Sequence, residues 1–534
     1  MPTVTAERTS EEITQVNTLG HLRLRNEQTN EIILIPTPSN DPNDPLNWSK
    51  RYRVYLALLV SLAMFFCNFL AAGPSVAIVD IVIDYFGTPP MTPGFPAAIA
   101  KVAYLFTGCA LLQGMGNLFW MPLIIKYGRR PIYIISFAGY TACAIWAGVA
   151  KTYESELASR IFLGFFAGSG ECIAPLTISD IFFLHERGFY MSMYTVALSL
   201  GVSGGTIISG LITINLNWRY IYYIAAAMIG ALTILVFFTL PETDYKRDPT
   251  TVISRQIESK DANMTEHVEA LPSTRPKESF KQRLRLSHGV YTHESLWRIF
   301  YRPIVLLALP PVLWATLIMS VTIGFLVAIS SNFASAFSEV YHFKPYQSGL
   351  CFVSGFVGTL FGIFGGGQVS DWVADYFTRR NGGIREPEMR LPAMTIGMIC
   401  TPVGLVLYGV GIEKQLHWIV ATLGLGFLSF AIAQTTNVSL VYIIDSYRPI
   451  AGETVVTQLA FKSAFGFLLS FYTNPWIAKA GYANAFGAMA GIAGGVISLW
   501  VPFFLWGRQI RVATSKWRVM TSLVGWDEDR EVGE

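Results

Sequence analysis

Stretches of about twenty mainly apolar residues, each bounded by charged or turn residues, recur about twelve times along the 534-residue chain. They lie approximately at 54–78, 98–120, 131–150, 157–180, 190–213, 219–240, 303–331, 347–370, 391–411, 417–441, 451–475 and 483–507. A run of that length crosses the hydrocarbon core of a bilayer as a helix, because lipid offers backbone N–H and C=O groups no partner and a helix satisfies them internally. The sequence is 52% hydrophobic and only 14% charged, far from the balance of a soluble domain. An all-α membrane protein follows, with the lipid bilayer as its first partner.

The formal net charge of +3 says little, and no soluble segment carries a basic run with interleaved aromatics, so nucleic acid is not expected as a partner. The placement of charge says more. Lys50, Arg51 and Arg53 precede span 1, Lys126, Arg129 and Arg130 follow span 2, and Arg379, Arg380, Arg385 and Arg390 fill the loop after span 8. Arg508, Arg511, Lys516 and Arg518 follow span 12, whereas the opposite loops carry Asp80, Asp84, Glu154, Glu156 and Glu413 with few cations. The excess of Lys and Arg places both termini in the cytosol, with the plasma membrane the expected location. All six cysteines fall within apolar spans without a CxxC pair, so neither a disulfide framework nor a metal site is expected. The first fifty residues lack the basic and apolar regions of a signal peptide.

Residues 241–302 form the one long polar stretch inside the chain, with six spans before it and six after. This division predicts a cytosolic tail at 1–53, a six-helix bundle at 54–240, a linker at 241–302, a second bundle at 303–507 and a tail at 508–534. A weak internal repeat agrees. MPLIIKYGRRP follows span 2 and GGQVSDWVADYFTRRN follows span 8, both read as short turns ending in paired arginines.

On these residues the chain resembles the major facilitator superfamily, and within it the fungal drug:proton antiporter branch with twelve spans. Of the superfamily's loop signature, Gly-x-x-x-Asp-Arg-x-Gly-Arg-Arg, the residues Lys126, Gly128, Arg129 and Arg130 match the second part, while Met121 and Ile125 replace Gly and Asp. Gly367 and Asp371 match the first part in the second half. Arg160 and Gly164 resemble the Arg-x-x-x-Gly signature of span 4; Gly201, Gly205 and Gly210 resemble the antiporter signature of span 5, with Thr206 and Ser209 where Pro and Gly stand in the family. SDIFFLHERG at 179–188 and YIIDSYRPIAGE at 442–453 are similar to a subgroup that includes polyamine and organic-cation uptake carriers. The resemblance implies two bundles rocking around a central site in a monomer that needs no cofactor.

Within the spans, ionisable residues are costly and mark transport paths or helix contacts. Glu171 lies roughly 16 Å below Arg160 at the helical rise, near mid-membrane. It shares a stripe with Gly164, Gly168 and Pro175, which has two readings: a structural carboxylate at a close helix contact, or a group lining the cavity between bundles where a proton and a substrate cation compete. Lys462 lies on a stripe with Gln458, Gly466 and Ser470 in span 11 and reads as one member of a structural or gating ion pair. Asp180, Arg187, Asp445 and Arg448 belong to the cytosolic rims, as gating or capping charges. Asn68, Gln434, Asn437 and Tyr442 are hydrogen-bonding candidates for the cavity, and Trp314 is an aromatic candidate for a flat or cationic substrate.

No HExxH, GxSxG or Walker motif occurs, which argues against an enzyme. The expected function is proton-coupled transport of a small organic compound by alternating access: efflux of drugs or a secondary metabolite, or uptake of polyamine-like cations, with a transporter-like nutrient sensor as the reading from another class.

Overall fold

The computed structural model describes residues 38–245 and 276–517, apart from gaps at 40, 90–91, 93, 277, 287–288, 293, 382–384, 448–449 and 516. Among these, twelve helices are long and apolar enough to cross a membrane. They are α1 (Lys50–Phe86), α2 (Ala97–Tyr127), α3 (Arg129–Val149), α4 (Tyr153–Ile181), α5 (Leu184–Ile212), α6 (Arg219–Thr239), α7 (Pro310–Tyr341), α8 (Pro345–Arg380), α9 (Pro387–Glu413), α10 (Trp418–Ser446), α11 (Ala451–Ala480) and α12 (Tyr482–Thr514). An even number of crossings puts the start of α1 and the end of α12 on one face, here called the terminal face; the other is the far face.

Several helices outrun the apolar windows that predicted them. GGQVSDWVADYFTRRN is not a short turn: Gln368–Arg380 continues α8 as an amphipathic helix that buries Ser370 and Ala374 and leaves Trp372 and Tyr376 exposed. MPLIIKYGRRP is likewise helical on both sides of a single break at Gly128. A hydropathy window stops at the first charges, whereas backbone bonding continues wherever polar side chains reach water at the membrane surface.

One apolar core runs through α1 to α6, and two further cores lie within α7 to α12. Met319, Ala334, Leu440, Ile444, Val455 and Leu459 from the second half join the first core, so the halves meet along α2 and α11, beside α10, and where α5 packs on α8. At the terminal face Gly452 packs against Met121 and Leu176; toward the far face the rings of Tyr104 and Phe471 lie 5.1 Å apart, and Gly210 abuts Gly349. The halves thus touch toward both faces, with mid-membrane residues between.

Two prolines create openings in the helical ladder that other helices fill. Pro74 has no N–H for the Leu70 carbonyl, and α1 tightens into a 3-10 turn over Gly73–Ala77. Arg160 of α4, fully buried, donates to the Leu70 carbonyl, to the Ala71 carbonyl at 3.0 Å and to the Leu105 carbonyl at 3.2 Å, tying α1 and α2 to α4. Pro175 similarly has no N–H for the carbonyl of Glu171, and the Tyr194 hydroxyl of α5 donates to it at 3.1 Å.

Candidate functional site

The stripe on α4 works by removing bulk. A Cβ on Gly164 would overlap the Cys109 carbonyl and one on Gly168 the Gln113 carbonyl, so the α2 and α4 backbones touch there. That approach brings Gln113 of α2 to Glu171: its Nε2 donates to Glu171 Oε1 at 2.9 Å and lies 3.4 Å from Asn68 Oδ1 on α1. The Asn68 Nδ2 donates to the Met64 carbonyl one turn back. Asn68 is itself positioned by α5, where Gly201 packs on Phe65 and Asn68 and Gly205 packs on Phe69.

The other oxygen of Glu171 faces the second half. Lys462 Nζ on α11 lies 3.3 Å from Glu171 Oε2, with both side chains almost wholly buried. Lys462 is roughly 16 Å along α11 from Ala451, and Glu171 roughly 15 Å along α4 from Ile181, at a rise of about 1.5 Å per residue. This mid-membrane ion pair bridges the two halves. The sequence singles out Glu171 and Lys462 separately and leaves Lys462 without a partner; it passes over Gln113, although that residue is a lone amide in an apolar run, the same signal that marks Asn68.

Around the terminal face, ion pairs repeat between the halves. Arg129 at the start of α3 meets Asp180 at the end of α4 at 3.2 Å; Arg390 at the start of α9 meets Asp445 at the end of α10 at 3.2 Å. Arg53 at the start of α1 meets Glu186 at the start of α5 at 3.6 Å; Arg302, just before α7, meets Glu453 at the start of α11 at 2.9 Å. A third contact differs between the halves. After α6, Glu242 accepts from the Arg129 and Arg130 backbone N–H groups, whereas in the second half Arg511 near the end of α12 donates to Glu388 at 2.8 Å.

Gly128 has a φ of +90°, and a Cβ there would crowd Glu242, so only glycine suits the turn. Arg129 also pairs with Asp244, Thr243 donates to Asp180 at 3.2 Å, and Arg130 caps α6 through the carbonyls of Leu240 and Phe237. The Lys126 carbonyl accepts from the Tyr291 backbone at 3.0 Å. Burial, with Glu242 and Asp244 close by, pushes the Tyr291 phenol up, so it stays protonated at neutral pH. Asp371 is exposed and lies 3.4 Å from Arg385 and 3.7 Å from Arg390, four residues beyond Gly367. The Arg187 side chain and Arg448 lie outside what the structure describes.

Three of the cavity candidates are packed among α7, α9, α10 and α12. Trp314 donates its indole N–H to the Val496 carbonyl at 3.0 Å and stacks on Phe503 at 4.6 Å, inside the core of α7, α10 and α12. Tyr442 packs edge-on against Trp314 in that core. Gln434 donates to the Ala393 carbonyl at 2.5 Å and crowds Gly397, turning toward α9. Gln434 and Asn437 are about 60° apart round a helix, wide enough for neighbours on different sides. Asn437 falls on the side of Leu440 and Ile444, which join the core of the first half.

The Major Facilitator Superfamily model matches residues 57–451. The chain belongs to this superfamily. It is 25% identical to Protein HOL1 of Saccharomyces cerevisiae over 91% of each chain, and 26% identical to MFS transporter cpaT of Aspergillus oryzae over 88% of this chain and 90% of that one. It is also 26% identical to MFS-type transporter penM of Penicillium rubens over 89% of this chain and 88% of that one. The fold is shared with the E. coli xylose transporter XylE, at a TM-score of 0.57 and 16% identity over 85% of this chain and 98% of that one. The human organic anion transporter MFSD10 shares it at a TM-score of 0.56, 16% identical over 85% of this chain and 100% of that one. The protein is therefore a multi-pass membrane transporter of the superfamily.

Proposed function

We propose that this transporter exchanges protons for a small organic cation, and that Glu171 is the group for which the two compete. The observation that carries the reading is the buried pair of Glu171 with Lys462 across the seam. In the resting arrangement Lys462 neutralises the carboxylate, so no lone charge stands in the membrane. A substrate ammonium that replaces Lys462 at Glu171 keeps the carboxylate paired, and a proton that binds Glu171 releases either cation. One carboxylate holds a proton or a cation, not both, and mutual exclusion at one group produces exchange. Symport would need both to be bound together. Exchange driven by an inward proton gradient moves the organic cation out of the cell, which is the efflux reading.

The moving units are the halves 54–240 and 303–507, working as a monomer, joined by the linker 241–302 and separating along the α2 and α11 seam. The repeated terminal-face ion pairs fix helix starts and ends within each half and so let each move as a body. With the arginine-rich terminal face in the cytosol, both tails are cytosolic and the plasma membrane is the site of action. A second reading, uptake of polyamine-like cations, draws on α5. Thr206 stands where the antiporter signature has Pro; its hydroxyl donates to the Val202 and Ser203 carbonyls, and the helix is continuous over Leu184–Ile212.

The test is transport in proteoliposomes under an imposed pH gradient, with a panel of organic cations and hydrophobic neutral compounds. Wild-type protein is expected to accumulate cations against the proton flux. Glu171→Gln is expected to lose gradient-driven accumulation while keeping cation binding measurable. Normal gradient-driven transport by that variant would return Glu171 to a purely structural role, and accumulation in the direction of proton flow would favour uptake.

A further inference from the structure

We propose that Gln458 is a second anchor for the substrate, so that the transported cation carries a hydroxyl or amide about one helical turn from its ammonium group. This rests on the reading of Glu171 as the cation's partner. Gln458 precedes Lys462 by four residues on α11, which places it on the same stripe, roughly 6 Å nearer the terminal face. Its side chain is fully buried, and neither Nε2 nor Oε1 has a hydrogen-bond partner among the described residues. A buried amide with both ends unmet is disfavoured, and a leucine of similar volume would pack there without that penalty.

The other deep glutamines each have a hydrogen-bond partner, although Gln434 Oε1 is also unpartnered among the described residues. Gln113 donates to Glu171, and Gln434 donates to the Ala393 carbonyl. Asn437 of α10 also has a buried, unpartnered Oδ1, and its side of the helix carries Leu440 and Ile444 into the first half's core. The wall that the second half turns to the seam thus offers an amide donor, two carbonyl-type acceptors and, one turn away, the cation that the substrate would replace. A hydroxyl or a carboxamide, each both donor and acceptor, complements Gln458 fully. A plain alkyl ammonium leaves it unmet, so the site favours a polar bifunctional cation over a hydrophobic one.

The experiment compares matched probes, aminobutanol against pentylamine, as competitors of tracer cation transport in proteoliposomes. Wild type is expected to bind the amino alcohol about five- to tenfold more tightly, the value of one added hydrogen bond pair. Gln458→Leu is expected to erase that preference by weakening aminobutanol alone, with an unfolding midpoint at or above that of wild type. Gln458→Asn, a shorter amide, is expected to keep the fold and reduce the preference, and serves if the leucine variant does not fold. Equal competition by the two probes in wild type, competition by neither, or an unchanged preference in both variants overturns the proposal. Glu171→Gln separates the two readings: if it weakens both probes while Gln458→Leu alters neither, Glu171 stands and the Gln458 assignment falls. If Glu171→Gln binds both probes as tightly as wild type and Gln458→Leu still erases the preference, the Glu171 reading fails and Gln458 remains a substrate contact.

Discussion

Glu171 and Lys462 stand 291 positions apart in the chain and 3.3 Å apart in the fold, on helices of different halves. Their attraction in a dry seam is strong, but removing both charges from water offsets most of it. The pair therefore contributes little net stability, while loss of one partner strands the other. Lys462→Met is expected to lower stability by about 3–5 kcal/mol. Glu171→Gln should lower it less, because the amide oxygen still accepts from Gln113 or Lys462. The double variant Glu171→Leu/Lys462→Met is expected to return close to wild-type stability without regaining gradient-driven transport. Thermal unfolding in detergent, read beside the liposome assay, checks this; a double variant no more stable than Lys462→Met alone would show that the stranded charge is not the cause.

Arg160 fills an opening made by proline, and this predicts a coupling between two residues 86 positions apart in the sequence. Lysine at 160 offers one ammonium where the guanidinium reaches three carbonyls. Arg160→Lys is expected to lower stability by about 2–3 kcal/mol, the range for lost hydrogen bonds to a charged group. Pro74→Ala restores an N–H for the Leu70 carbonyl, so in that background the same substitution should be milder by about 1 kcal/mol. Additive effects in the double-mutant cycle would mean that Arg160 acts through the aromatic faces of Phe106 and Tyr222 beneath it instead.

The spans are legible because lipid imposes one rule on every residue of a crossing: apolar outside, backbone satisfied within. Local signatures such as the stripe of Gly164, Gly168 and Glu171 are legible for a similar reason, since helical periodicity fixes which neighbours share a face. Pairing between distant spans has no such local code. Nothing near Lys462 names Glu171, and nothing near Gln434 says that it turns toward α9 while Asn437 turns toward the seam. Glu156 shows the same limit: counted as a loop charge, it is buried in α4 and accepts from Tyr222 at 3.0 Å. Trp314 reads as a ligand for a flat substrate because sequence shows an aromatic in a span but not the Val496 carbonyl waiting for its N–H.

The repeated rim pairs are equal in geometry but not in burial. Asp180 is 8% exposed and shared among Arg129 and Thr243, while Asp445 is 20% exposed beside Arg390. Burial decides how much an ion pair matters. Asp180→Asn is expected to lower stability by about 2–4 kcal/mol and Asp445→Asn by about 1 kcal/mol or less. Raising salt should narrow the smaller effect and leave the larger one. Unfolding midpoints of the two variants at low and high salt test the ordering; equal losses would show that the two halves carry the rim load alike.

The halves approach closely at Gly114, beside Gln113 on α2, where a Cβ would overlap Ser463 of α11 and crowd the Leu459 carbonyl at 2.6 Å. Ser463 follows Lys462, so whatever separates α2 from α11 there also draws Lys462 from Glu171. Gly114→Ala is expected to fold, since overpacking costs about 1–3 kcal/mol, and to cut gradient-driven transport by about tenfold or more. Ser463→Gly in the same chain removes one of the two obstructions and should return part of the rate. Gly487 lies on α12, where a methyl group added at its Cα would meet nothing within 4 Å, so Gly487→Ala should change neither stability nor transport. Spin-label distances between α2 and α11 would supply the direct readout. A Gly114→Ala protein with wild-type transport and an unchanged distance would mean that this contact is not maintained through the cycle, and that the halves turn about some other point.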